Sequence, residues 1–267
     1  MKKLNFIIKY GLALLLLSFY SCESWLNVTP SDRLSEEMLF NDREGFVKAL
    51  NGVYIELNTN ELYGRNLTAG ALDVMGQYYS VASSSHAFYN YGGLVYTGND
   101  EKALFDNMWQ KCYAVIACCN TIIEKCDENK AGLSPVWKGS IKGEALALRA
   151  MLHFDMLRLF GPLTSELDKE SIPYQTNSDQ TVTPLLSGSE VIGLILDDLK
   201  NAVGLLKDTD PYFVEEEFSD TDLNYRRFRM NYFAAKGLMA RVQLWGGDKE
   251  KAATFGKYPC VNWTAQW

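Results

Sequence analysis

One helix with both ends marked places the strongest constraint on what this chain can fold into. Ser134 is a good N-cap, and Pro135 takes the first helical position, where its missing N–H costs nothing. Gly161 and Pro162 end the helix. Apolar residues recur at spacings of three and four on two faces: Ala145, Leu148, Leu152, Met156 and Leu159, then Leu146, Ala150, Phe154 and Leu157. A helix that is apolar on two faces needs helical neighbours on both sides, which predicts a layered or repeat architecture.

Other segments repeat the helical period. Asp42 caps a helix that carries Phe46 and Leu50, and a long helix over Glu101 to Asn129 should pair antiparallel with the first. Helices are also predicted from the capping box Ser187 to Glu190 through Leu206, over Met230 to Gly246, and from Lys249 onward. We therefore predict an all-α fold of tetratricopeptide-like helix pairs with long irregular loops, including polar Leu163 to Leu186.

The N-terminus is typical of an exported lipoprotein. Residues 1–21 combine two early lysines with a short apolar run, which predicts a signal peptide ending just before Cys22. Acylation of the Cys22 thiol would anchor the chain in a membrane, and a secreted protein with a free N-terminal cysteine is the alternative. Residues 22–34 are predicted to be an extended tether and 35–267 the helical domain. Removing the leader takes three lysines and no acids, so the net charge falls from −7 to −10, which disfavours nucleic acid as a partner.

The six cysteines do not form a metal site or a disulfide scaffold in this interpretation. Cys112, Cys119 and Cys126 are seven apart on one predicted helix, about 10 Å from one another. With Cys118 they are expected to be small buried hydrophobes. We expect no metal and no cofactor.

Catalytic chemistry has little support in the sequence. Arg149 and His153 lie four residues apart on the first helix. An ion pair with Asp197 or Asp198 on a neighbouring helix explains the presence of Arg149 better than a catalytic role does. Asp197 and Asp198 point about 100° apart, so they do not make the facing carboxylates of a glycosidase. The acidic segment Lys207 to Asp222 lacks the spacing of a calcium loop and is expected to be a solvated connection. No enzyme activity is predicted.

The stretch from Leu67 to Asn99 follows neither the helical nor the strand period. It holds six aromatic residues among Ser, Gly and Asn: Tyr78, Tyr79, Phe88, Tyr89, Tyr91 and Tyr96. Two interpretations remain open at this point. The rings pack across the top of a helical layer, or they offer their faces to a ligand.

Taken in order, these segments resemble the SusD/RagB family of outer-membrane nutrient-binding lipoproteins of Bacteroidetes. The resemblance is carried by Cys22 with WLNVTPSDRLSEEMLFND, by GFVKALNGVY (45–54) and MWQKCYAVIACCNTII (108–123). It continues in GEALALRAMLHFDMLRLFG (143–161), IPY from Ile172, EVIGLILDDLKNAVGLL (190–206) and RMNYFAAKGLMARVQLWGGDKEKA (229–252). Family members are longer than this chain, so residues 35–267 are expected to be a truncated, N-terminal part of the family's domain.

The resemblance implies a function. It implies a non-enzymatic, surface-exposed lipoprotein, lipid-anchored in the outer membrane, that captures glycans for import through a SusC-like TonB-dependent transporter. The glycan-binding candidates are Tyr78, Tyr79, Tyr89, Asn90, Tyr91 and Tyr96, since rings stack on sugar faces and amides bind hydroxyls. The alternatives are a protein–protein scaffold and a peptide-binding member of the same family.

Overall fold

The structure is a computed structural model that describes residues 36–179 and 181–256. Helix α1 belongs to a unit, Met1–Leu39, separate from Phe40–Trp267, and the account below concerns the second unit. The α-helices of the described residues are α1 (Glu36–Leu39), α2 (Arg43–Leu57), α3 (Ala71–Met75), α4 (Tyr89–Gly92), α5 (Asn99–Glu128), α6 (Pro135–Phe160), α7 (Gly188–Thr209), α8 (Asp220–Arg226), α9 (Tyr232–Trp245) and α10 (Lys249–Gly256). Strands β1 (Glu170–Pro173) and β2 (Leu185–Ser187) pair antiparallel, and Glu215–Glu217 is a 3-10 helix.

Helix α6 is the centre of the unit, as its two apolar faces predict. The Ser134 side chain accepts a hydrogen bond from the N–H of Trp137, Pro135 is the first residue, and Gly161 is the C-cap. Helices α5 and α7 pack on it, with further contacts from α2, α9 and β1. The predicted layered, tetratricopeptide-like architecture is confirmed.

A tight turn makes α5 and α6 an antiparallel hairpin. Asn129 adopts the left-handed conformation at φ 46° and ends α5. Its side chain accepts from the N–H of Leu133 at 2.8 Å and donates to the carbonyl of Leu133 at 3.2 Å. The turn is thereby closed by one side chain, since Asn tolerates positive φ better than most residues do.

The cysteines of α5 follow the predicted packing with one correction. Cys112, Cys119 and Cys126 are buried, and burial raises the pKa of the Cys126 thiol to about 12. Cys118, which was expected to be buried with them, is exposed. Cys118 is exposed because adjacent residues of a helix point about 100° apart, so it lies on a different face from Cys119.

Arg149 joins three elements inside the unit. Its Nε and Nη2 donate to the Asp198 carboxylate at 2.7 and 2.6 Å, and Nη1 donates to the side-chain oxygen of Asn120 on α5 at 2.8 Å. The hydroxyl of Tyr174 donates to the same carboxylate at 2.5 Å. The structural role predicted for Arg149 is therefore observed with Asp198, whereas Asp197 pairs with Lys200 at the surface.

Two loops that were expected to be irregular contain short elements, and one expectation about charge was wrong. Strand β1 and the start of β2 lie within 163–186, and the short helices α3 and α4 lie within 67–99, where the other residues before α5 form neither helix nor strand. The acidic segment is not simply solvated, because fully buried Asp210 accepts from Arg226 at 2.6 and 3.0 Å. Arg226 also donates to Glu144 on α6. A partner 16 residues away along the chain cannot be seen in a local reading of charge.

Candidate functional site

The aromatic segment forms a loop between two helices. We call residues 76–98 the aromatic loop. Gly76 follows the last residue of α3, Gly98 precedes the first residue of α5, and α4 lies within the loop. The loop therefore begins and ends on helices of the same unit.

The base of the aromatic loop is a small core of its own. Ala71 and Val74 on α3 are buried together with Tyr91 on α4. The Tyr91 ring meets Phe105 of α5 at 6.0 Å between centroids, and Tyr96 meets Phe105 edge-on at 5.4 Å. Such edge-to-face pairs add to the energy of simple burial. Burial also raises the pKa of Tyr91 to about 12, so this phenol stays neutral.

Two side-chain amides fix the backbone of the loop. Gln77, which itself has a positive φ of 62°, donates to the carbonyl of Gly92 at 2.9 Å and so ties the end of α3 to α4. The Asn90 amide donates to Glu101 on α5 at 2.7 Å, and this hydrogen bond lowers the pKa of the Glu101 carboxyl. The loop is thus held at several points along its length.

The structure separates the six candidate residues into two groups. Tyr91, 2% exposed, and half-buried Tyr96 form the base. Tyr78, Tyr79 and Tyr89 are 81%, 52% and 43% exposed. Asn90 is exposed as a residue, although its amide nitrogen is committed to Glu101. The packing interpretation is therefore observed for Tyr91 and Tyr96, while Tyr78, Tyr79 and Tyr89 stay candidates for a ligand.

Sequence reasoning missed the residues that support the loop from α5. Glu101 and Phe105 were assigned only to a helix, although they hold Asn90 and Tyr96. A signal was available at Gly98, because a glutamate three residues after a helix cap often folds back toward it. The Glu101 carboxylate occupies the place that a Cβ at position 98 would fill.

The predicted lipidation residue, Cys22, and the proposed tether to residue 34 lie outside the described residues. Over 36–179 and 181–256, no helix has the length and apolar character needed to cross a membrane. In the same part of the chain, no group of three or more His, Cys, Asp or Glu side chains is placed to hold a metal ion.

Comparisons with known proteins agree with this architecture. A SusD-like family model, described as starch-binding and associating with the outer membrane, matches residues 24–244. SusD-like protein P2 of Formosa agariphila is 25% identical over 97% of this chain and 46% of its own length. A SusD-like carbohydrate-binding protein from Bacteroides vulgatus has 24% identity and a TM-score of 0.64, covering 80% of this chain and 44% of that one. A laminarin-binding SusD-like protein has 16% identity and a TM-score of 0.58, covering 80% and 42%. The chain spans less than half the length of these relatives.

Proposed function

This chain belongs to the SusD-like family of starch-binding, outer-membrane-associated proteins, and from that premise we propose that it captures oligosaccharides at the cell surface without transforming them. The aromatic loop is the proposed contact surface. Glycans are the ligand class, in keeping with the carbohydrate and laminarin binding named for two proteins of the same fold.

The observation that carries this proposal is the exposure of three tyrosines on a fixed base. Tyr78, Tyr79 and Tyr89 are exposed although large aromatic side chains usually bury most of their surface. The ring contacts beneath them and the Gln77 and Asn90 hydrogen bonds restrain the backbone before any ligand arrives. Preorganisation of this kind lowers the entropic cost of binding.

The cellular setting is part of the same proposal. An acyl group on Cys22 would hold the protein on the outer membrane, and a SusC-like TonB-dependent transporter would receive the glycan. Co-purification from detergent-solubilised outer membranes tests the partnership. Recovery of the protein without any transporter would contradict it.

The aromatic loop is tested by alanine substitution. Tyr78→Ala and Tyr79→Ala are each expected to lower affinity for starch- or laminarin-derived oligosaccharides about three- to tenfold, because each removes one stacking face. Isothermal titration calorimetry on the full chain gives the affinities. Thermal unfolding should be nearly unchanged, since both rings are exposed.

Tyr212→Ala is the matched control. The exposed fraction of Tyr212, 42%, is similar to that of Tyr89. Tyr212 lies on the segment after α7, outside the aromatic loop. It is expected to bind like the parent. Parent-like binding by the Tyr78, Tyr79 and Tyr89 variants would remove the loop as the binding surface.

A further inference from the structure

A groove runs along the side of the helical layer, away from the aromatic loop. Three cavities of about 600, 440 and 340 Å³ adjoin one another there. The first and second share Trp137, and the second and third share Tyr54 and Arg229. We call these three adjoining depressions together the lateral groove.

One face of α6 forms the floor of the lateral groove. The floor residues follow the helical spacing of three and four and are Trp137, Ser140, Ile141, Glu144, Leu148 and Met151. At 1.5 Å per residue the floor is about 21 Å long. Helix α2 makes one wall, and the other is lined by residues that follow α7, among them Pro211, Phe218, Tyr225 and Phe228, with Tyr212 not among the lining residues. A site of this length suits an elongated ligand.

The two arginines in the middle of the groove are already engaged within the protein. Buried Arg226 pairs with Glu144 and with Asp210. Arg229 donates to the side-chain oxygen of Asn51, and its guanidinium stacks over the Tyr54 ring, with 4.9 Å between the guanidinium carbon and the ring centroid. An anionic ligand would compete with these internal partners for the two arginines and would also lose its hydration.

The end of the groove beside Trp137 disfavours anions. Asp42, Glu44 and Glu217 line it against a single basic residue, Arg43. Arg43 is stacked on the Trp137 ring at 4.8 Å, so its charge is directed to the protein. Glycans that carry carboxylate or sulfate groups would be repelled from this end.

Aromatic and amide groups remain available along the groove. Tyr225 lines the groove and is 60% exposed, and Ile55 of α2 lines it as an exposed apolar residue. Among the described residues, the Asn51 side chain is hydrogen-bonded through its oxygen, which leaves its two amide hydrogens to donate. Rings beside fixed amide donors match the apolar faces and hydroxyls of sugars.

We propose that the lateral groove binds an elongated, uncharged oligosaccharide as a second site, separate from the aromatic loop. The choice of ligand class rests on the proposed function, whereas the position rests on the groove itself. An extended peptide is the competing occupant, and the measurement below separates the two.

The test uses the full chain carrying Tyr78→Ala, Tyr79→Ala and Tyr89→Ala, so that the aromatic loop no longer contributes. Maltoheptaose and laminariheptaose are titrated by calorimetry, and hydroxyl-radical footprinting locates contacts. Binding is expected to persist, with protection of Tyr225. Adding Tyr225→Ala or Asn51→Ala should lower the affinity about three- to tenfold, and adding Tyr212→Ala should not.

The outcomes distinguish the two proposals. If the parent binds but the triple loop variant does not, the second site is wrong and the loop stands. If the triple variant binds like the parent and groove substitutions weaken it, the groove stands and the loop is wrong. If no form of the protein binds either oligosaccharide, both the loop proposal and the groove proposal are wrong. Protection of Tyr225 by an uncharged extended peptide alone overturns the glycan assignment.

Discussion

His153 shows how much a single side chain depends on its surroundings. It is fully buried, its Nδ1 lies 2.9 Å from the carbonyl of Arg149, to which it donates, and its Nε2 accepts from the N–H of Gln175 at 3.0 Å. Tyr174 stacks on the ring at 3.9 Å. Burial lowers the pKa of His153 to about 3, so the ring is neutral in the folded protein.

This lowered pKa makes stability depend on pH. Unfolding returns His153 to an ordinary pKa near 6.5, so the unfolded chain takes up a proton below that pH and the folded chain does not until about pH 3. Above pH 6.5 the contribution is fully present, and by pH 5 it is reduced by about 2 kcal/mol. Urea unfolding at pH 7 and pH 5 measures the difference.

The two histidines of the chain provide a matched pair for that measurement. His153→Gln should be less stable at pH 7 but should lose less stability on acidification than the parent. His86→Gln, at an exposed residue of the aromatic loop, should keep the parent's difference between the two pH values. An unchanged pH difference in the His153 variant would show that another group is responsible.

Arg149 and Arg226 show which buried ion pairs can be predicted from the sequence and which cannot. Arg149 stands alone on an apolar helix face, so an acidic partner on a neighbouring helix was predictable and Asp198 fills that role. Arg226 is flanked by other arginines and by a run of acids, and that charge pattern suggests solvent. Its burial against Glu144 depends on how α8 folds back onto α6, which local sequence does not encode.

Helices α6 and α7 approach closely because glycines face the contact. A Cβ at Gly143 would come 2.8 Å from Cγ of Leu206, and one at Gly139 would meet Thr209 on the same helix. Both glycines are buried in α6, where glycine otherwise weakens a helix. The close contact compensates for that intrinsic weakness.

Substitution by alanine is expected to act in opposite directions at buried Gly143 of α6 and at exposed Gly204 of α7. Gly143→Ala should destabilise the protein by about 1–3 kcal/mol, because α7 must move or Leu206 must leave its rotamer. Gly204→Ala, on α7 where a Cβ meets nothing within 4 Å, should stabilise by about 0.5–1 kcal/mol. Chemical denaturation measures both, and equal effects would contradict a close helix contact at Gly143.

Element boundaries were predictable where caps define them. Ser134, Ser187 and Asp42 each accept a backbone hydrogen bond at the start of a helix, as their positions in the sequence indicated. The strands and the helices α3 and α4 span only three to five residues, too few to show a period. The same limit applies to the site, because the division of its tyrosines between base and surface depends on α4.

At the scale of the whole molecule, the proposed anchor at Cys22 would decide where the binding surfaces act. Cys22→Ser is expected to move the protein from the outer-membrane fraction to a soluble fraction, because the thiol that would carry the acyl chains is lost. Fractionation of cells followed by mass spectrometry of the N-terminal peptide measures this. Cys118→Ser, at an exposed cysteine, should leave the protein in the membrane fraction. Membrane retention of the Cys22 variant would contradict the anchor.

The α5–α6 hairpin has a consequence for the order in which the protein is made. Phe105, which supports the aromatic loop, also meets Phe160 at the far end of α6, 6.3 Å between ring centroids. Every contact described above for the loop is therefore with residues no later than Phe160. During synthesis the loop can reach its final arrangement once α6 has left the ribosome, while Asp198 and the rest of α7 are still to be added. The chain would then emerge with its proposed ligand surface formed ahead of the helix that completes its core.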